Sequence, residues 1–267
     1  MTVRRYLVFA LAVPIAVACT RRDKETALAQ EVDDTVGSAR RLVVVPPVTG
    51  RYQVVAVNTG GSVTGTVSYT GTPSADTIIQ IPADQNGCGK PLSIARLTRK
   101  NGALSGAVVW LTDIRAGRAA TLERRYELDN SDCAWNPVVL AVMTGGTVNV
   151  VNDDPLVERA YVTDVSKGDT VAKVPFTDDG QIIPYDHFLK TAGVYELSVE
   201  SRPMSRAWIV ALDHPYVAIT KDDGKFTLDS VPPGTYAIRA WHPMLGVVDG
   251  KVTVTAGQPA TVALRFP

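Results

Sequence analysis

Beyond residue 60 the chain alternates apolar and polar positions. In Ser62-Val63-Thr64-Gly65-Thr66-Val67-Ser68-Tyr69 every second side chain can face a core, the period of a half-buried strand. Strand-like runs recur at Thr77 to Ile81, Gly106 to Thr112, Val138 to Met143, Thr147 to Val151, Tyr161 to Val165, Tyr195 to Ser201, Ala207 to Leu212, Lys225 to Leu228, Thr235 to Trp241, Lys251 to Thr255 and Ala260 to Phe266. Turn pairs that tolerate positive φ separate them, at Asn101-Gly102, Asp179-Gly180, Asp223-Gly224 and Asp249-Gly250. No internal repeat and no sustained helical period appears. Short strands at this spacing predict an all-β chain built from two β-sandwich domains.

The N-terminus has a different texture. Arg4 and Arg5 precede an apolar run from Tyr6 to Ala18, which ends at Ala16-Val17-Ala18-Cys19. This reads as an export signal. The small residues before Cys19 resemble a bacterial lipobox, although Ala16 stands where leucine is more usual. Lipidation of Cys19 would leave residues 1–19 as signal or lipoprotein anchor and place the protein on the extracytoplasmic, periplasmic face of a membrane. An ordinary cleaved signal and an uncleaved anchor are the alternatives; the run is short for a span of ~20 apolar residues, and Pro14 interrupts it. Residues 20–60 read as a tether.

With 267 residues, 45% apolar and 20% charged, the chain can bury a substantial core, which excludes disorder as its main state. The 27 basic and 27 acidic residues balance, leaving no excess positive charge for a phosphate backbone, so nucleic acid is not an expected partner. Three cysteines and three histidines limit metal chemistry. If Cys19 carries lipid, Cys88 and Cys133 remain as a pair, and an exported protein is expected to join them in a disulfide stabilising the fold by on the order of 4 kcal/mol. Two buried free thiols are the alternative.

No catalytic constellation is visible. Gly-x-Ser-x-Gly, phosphate-loop, His-Glu-x-x-His and Cys-x-x-Cys motifs are absent, and Lys190, Val217 and Leu245 stand three positions after His187, His214 and His242. The reading is not an enzyme and without cofactor. His214 and His242 each precede proline and read as structural histidines. Asp153-Asp154, Asp178-Asp179 and Asp222-Asp223 read as solvated turn carboxylates, with calcium binding as the alternative.

The stretch Asp222-Asp223-Gly224-Lys225-Phe226-Thr227-Leu228-Asp229-Ser230-Val231-Pro232-Pro233-Gly234-Thr235-Tyr236 resembles the signature of carboxypeptidase regulatory-like domains, which implies a transthyretin-like β-sandwich without an active site. Ser62 to Val67, with Gly71 and Pro73, resembles the first strand of the same domain. That assigns 61–76 plus 215–267 to one sandwich.

The intervening 77–214 is similar to exported bacterial cupredoxin-like domains. The resemblance rests on Cys133-Ala134-Trp135-Asn136-Pro137, on Gly145-Gly146-Thr147-Val148-Asn149-Val150-Val151-Asn152-Asp153-Asp154, on Gly193 to Val199 and on Arg206 to Val210. A blue-copper site needs a thiolate, two imidazoles and a weak axial thioether. The positions that the resemblance implies for them fall at Glu158, Val199, Arg202 and Ser205, with Met204 one residue out of register. None is a competent ligand, so the metal site is expected to be missing. Glu158 and Arg202 carry opposite charges where ligands would converge, which predicts an ion pair of ~1 kcal/mol or less if exposed; two independent surface charges are the alternative.

The expected function is a copper-free, non-catalytic accessory subunit, membrane-anchored through its N-terminus and docked on a membrane-associated protein complex. The cupredoxin resemblance implies an electron-transfer assembly, respiratory or built on a photosynthetic reaction centre, as the partner class. The alternatives are a carbohydrate or ligand-binding module using Tyr185, Trp208, Tyr216 and Trp241, and an active copper electron carrier.

Overall fold

The computed structural model of the chain describes residues 52–72, 77–79, 92–94, 97, 99–120, 125–185 and 189–267. Every described regular element is a strand. Arg4, Arg5, Cys19, Cys88 and His187, with the anchor and the tether as far as residue 51, lie outside the described residues.

Two sandwiches form. In the first, one sheet orders Val217–Ile219, Val108–Leu111, Gly234–His242 and Gly246–Val254. The other centres on Gly61–Tyr69, antiparallel to Lys225–Val231 and parallel to Pro259–Phe266, so that Val63 sits opposite Ala260 and Val67 opposite Leu264. Val63, Val67, Phe226, Leu228, Leu264 and Phe266 fill the space between the sheets, as their alternation requires. Gly60-Gly61 opens this sheet, and Gly224 turns it at φ 70°.

In the second sandwich a four-stranded sheet orders Ala134–Asn136, Arg125–Ser131, Thr147–Asn152 and Gln181–Tyr185. A five-stranded sheet orders Val139–Met143, Arg202–Leu212, Gly193–Val199, Glu158–Asp164 and Asp169–Phe176. Leu128, Trp135, Val148, Val162, Phe176 and Ile209 belong to its core.

The domain boundaries expected from the sequence differ from these sheets. Arg99–Lys100, Ala103–Leu104 and Val108–Leu111 pair within the first sandwich, although residues 77–214 were expected to form the second domain alone. The stretch expected to end the tether is also built in. Gln53–Val54 pairs in parallel with Ala116–Gly117, and the Tyr52 hydroxyl donates to the Arg118 carbonyl at 2.7 Å.

A third core joins the two sandwiches. All four residues of Val108–Leu111 are buried: Val109 and Leu111 face the first core, while Val108 and Trp110 face a separate cluster with Trp241, Val139, Val165, Val194, Val210 and Leu212. Val210 and Leu212 reach it from the second sandwich, whose own core takes Ile209 and Ala211 from the same strand. Sheets buried on both faces in this way read as continuous apolar runs.

The Asp249-Gly250 pair, expected to turn, lies inside the strand Gly246–Val254; the turn falls at residues 243–245, and Gly246, at φ 76°, leads out of it into the strand. Gly250 is small because a Cβ there would approach Leu264 Cδ2 to 2.7 Å. Asp249 faces Arg239 across the ladder, with Arg239 Nε 2.6 Å from Asp249 Oδ1. The Arg239 guanidinium holds the Asp249 carboxyl below its ordinary range.

Candidate functional site

The end of the second sandwich where the strand Glu158–Asp164 begins and Gly193–Val199 gives way to Arg202–Leu212 gathers the positions singled out by the sequence. A tight turn at Asp132 (φ 49°) and Cys133 (φ 62°) crosses it. Positive φ is strained for a side chain such as cysteine, so neighbours must hold the turn. Cys133 N–H donates to both Asp154 carboxyl oxygens, at 3.2 and 3.0 Å, and Ser205 Oγ donates to the Cys133 carbonyl at 2.9 Å. Cys133 is disulfide-bonded. Its expected partner Cys88 lies outside the described residues.

Below the turn, Asn152 Nδ2 donates to the Asp154 carbonyl at 2.9 Å and to the Asp178 carbonyl at 3.0 Å. Asn130 Nδ2 donates to Asn152 Oδ1 at 3.3 Å. These buried amides tie the loop after Thr147–Asn152 to the one before Gln181–Tyr185. Asp154 is a correction to the sequence reading, which took it for a solvated turn carboxylate: it is 1% exposed. The cause is its place beneath the Cys133 turn. Burial lifts its pKa to about 6, against the pull of the Cys133 N–H and of Arg202, and the negative charges of Glu158 and Asp132 push the same way as burial.

Glu158 and Arg202 meet as a two-pronged pair: Arg202 Nη2 donates to Glu158 Oε2 at 2.6 Å and Nη1 to Oε1, while Ser201 Oγ donates to Oε1 at 3.2 Å. The Arg202 and Glu158 side chains are 3% and 5% exposed. The pair is therefore buried, and the small value appropriate to an exposed pair does not apply. Arg202 Nε is buried without a hydrogen-bond partner.

Val199 lies opposite Arg202 in the ladder and is part of the core. Thus Glu158, Val199 and Arg202 come together, and Ser205 is engaged with the Cys133 turn. This set does not fit copper. A guanidinium repels a cation, a valine has no donor, and the carboxylate is committed to the guanidinium. Among the described residues no group of three His, Cys, Asp or Glu side chains could hold a metal ion.

The histidines are elsewhere. His214 and His242 are 0% and 5% exposed; His214 Nδ1 accepts the Tyr216 N–H at 3.3 Å, and His242 Nδ1 accepts the Met244 N–H at 3.2 Å. Burial lowers both pKa values to about 4. Each is neutral in the fold but protonates near 6.5 when unfolded, so its stabilisation is complete above pH 6.5 and is lost as pH falls towards 4, by about 3 kcal/mol apiece. Asp154 has the opposite sign. Its raised pKa penalises the fold above pH 6, and that penalty is relieved as pH falls towards 4, by about 3 kcal/mol, so the two histidines prevail. His242→Asn keeps an acceptor for the Met244 N–H and is expected to remove about 2–3 kcal/mol of the stability loss between pH 7 and 4.5, read from urea midpoints. An unchanged pH dependence in that variant contradicts the assignment.

Of the aromatics considered for a ligand groove, Tyr216 belongs to the first core and Trp241 to the core between sandwiches, while Trp208 and Tyr185 are partly buried against the third and second cores. They do not line one groove.

Residues 191–267 match the carboxypeptidase regulatory-like domain family. The match begins ahead of Val217–Ile219, the first of the C-terminal strands of the first sandwich, and takes in Gly193–Val199 and Arg202–Leu212, which pair in the second. Conversely, it omits Gly61–Tyr69 and Val108–Leu111, which complete the first. A comparison with curated proteins finds no match. Similar solved structures include a purple cupredoxin from Nitrosopumilus maritimus, 18% identical over 33% of this chain and 99% of that one, with a TM-score of 0.27. Amicyanin from Paracoccus versutus is 16% identical over 35% and 85%, with a TM-score of 0.28. A copper-containing nitrite reductase from Thermus scotoductus is 19% identical over 37% and 25%, with a TM-score of 0.29. This all-β chain thus carries a carboxypeptidase regulatory-like domain and has cupredoxins among its structural neighbours.

Proposed function

We propose that the protein is a copper-free, non-catalytic accessory subunit, exported and anchored at its N-terminus, that docks on a membrane-associated protein complex. An electron-transfer assembly, respiratory or photosynthetic, is the partner class we favour. The observation that carries the reading is the buried Glu158–Arg202 pair in place of soft metal donors, with Val199 and Ser205 completing a pole made of packing and hydrogen bonds. A sandwich whose chemical end is closed by its own side chains offers surface as its means of action. Beside the pair, Val157 is 81% exposed, and Ile182 on the neighbouring sheet is 58% exposed.

The test is mild solubilisation of native membranes followed by purification on this protein. Recovery with a fixed set of membrane-complex subunits in constant ratio is expected, and Val157→Asp should lower that ratio while leaving the thermal midpoint unchanged. Recovery as a free monomer contradicts the reading. The carbohydrate-module alternative loses its support with Tyr216 and Trp241 in cores.

A further inference from the structure

Asp154 precedes Pro155, and the peptide bond between them is the chemically weakest type in a chain. Proline nitrogen leaves as a secondary amine, and an aspartic side chain can close a five-membered ring on its own main-chain carbonyl. What the fold adds is specific. The Asp154 carbonyl oxygen accepts the buried Asn152 amide at 2.9 Å, which polarises the bond and stabilises negative charge developing on that oxygen. Asn152 is itself fixed by Asn130 and by the Asp178 carbonyl. The Asp154 carboxyl is 1% exposed, so it is shielded from the water that ordinarily keeps such groups ionised.

The geometry points to Asp154-Pro155 as a self-cleavage site, the buried Asp154 carboxyl acting as nucleophile and proton source and Asn152 as donor to the carbonyl oxygen. In the neutral acid, a carboxyl oxygen attacks the main-chain carbonyl carbon, the bond to Pro155 nitrogen breaks, and the carboxyl proton passes to that nitrogen. The product is a cyclic anhydride at Asp154. One water opens it, leaving a free Asp154 carboxyl terminus and a Pro155 amino terminus, the net hydrolysis of one peptide bond.

The charged groups around the carboxyl set its pH range: Arg202 from one strand favours ionisation, while Glu158 from another and Asp132 from the turn oppose it. Burial and these acids place its titration near pH 6, so the reactive neutral form is a minority at pH 7 and dominates at pH 5. Protonation also converts one oxygen from acceptor to donor, releasing its bond to the Cys133 N–H and freeing it to turn on its own carbonyl. The cut falls in the crossover between Thr147–Asn152 of one sheet and Glu158–Asp164 of the other, so both fragments keep their ladders.

The experiment incubates the purified full chain, folded, at 37 °C between pH 8 and 4.5, and follows intact mass and the new amino terminus. Fragments 1–154 and 155–267 are expected, the second starting at Pro155, at a rate that rises about tenfold from pH 7 to 5 and then levels. Asp154→Asn and Pro155→Ala should each abolish or strongly slow the cut. Asn152→Ala, checked for folding by its melt, should slow it about tenfold or more, the effect of losing one donor to a developing oxyanion. Three results each overturn the proposal: no cleavage of the folded chain at pH 5, cleavage retained in Asp154→Asn, or equally fast cleavage of the urea-unfolded chain.

Discussion

Arg202→Met is expected to destabilise the fold by about 3–5 kcal/mol, because it leaves the Glu158 carboxylate buried without its counter-charge. The guanidinium donates to both Glu158 oxygens and is itself almost wholly enclosed, so water cannot replace it without opening the end of the sandwich. In a protein of this size the melting midpoint should fall by about 10 °C or more. The double variant Glu158→Leu with Arg202→Met removes both charges and should recover most of the loss, since a buried pair and its apolar replacement differ little in net stability. That contrast separates a buried pair from a surface one. If Arg202→Met costs less than about 1 kcal/mol, the pair behaves as an exposed one and the closed pole is wrong.

Trp241→Ala is the second large effect, expected at about 3–5 kcal/mol for a fully buried indole. Its consequence differs in kind, because Trp241 packs with Trp110 and Val108 of the first sandwich against Val139, Val210 and Leu212 of the second. The wild-type chain is expected to unfold in one transition, since neither sandwich can lose its partner without exposing this third core. Removing the indole should split unfolding into two transitions, seen by calorimetry. A wild-type scan already resolved into two, or a Trp241→Ala scan that keeps a single unshifted midpoint, contradicts the coupling.

Much of this fold was legible as period. Gly61–Tyr69 alternates throughout and Lys225–Val231 does so as far as Leu228, where a register shift sets Asp229 and Ser230 before Val231; Val63, Val67, Phe226, Leu228 and Val231 lie in the first core. The unbroken apolar runs at Val108 to Leu111 and Trp208 to Leu212 carried a further message, burial on both faces, that a count of strands does not use. Arg125–Ser131 was missed because its polar residues obscure the alternation, and the buried Asn130 faces a hydrogen-bond network instead of an apolar neighbour. Asp169–Phe176 was missed because it is a largely exposed edge strand that contains Pro175, a residue that argues against a central strand.

The site was less readable, for a physical reason. Glu158 and Arg202 are 44 residues apart, and only a resemblance to a metal-binding architecture placed them together; their burial could not be read from either neighbourhood. Asp154 shows the converse error. Consecutive acids beside a proline look like a solvated turn, and what encloses Asp154 is the Cys133 turn, 21 residues earlier.

In the proposed reading this pole is closed by Glu158, Val199, Arg202 and Ser205 themselves and takes no copper. The most direct measurement is the copper content and visible absorption of the protein purified from native membranes, repeated after exposure to excess copper and removal of unbound metal. Copper far below one per chain and no thiolate-to-copper absorption are expected in either sample. One copper per chain, with the intense blue or purple colour of a thiolate–copper bond, would contradict it.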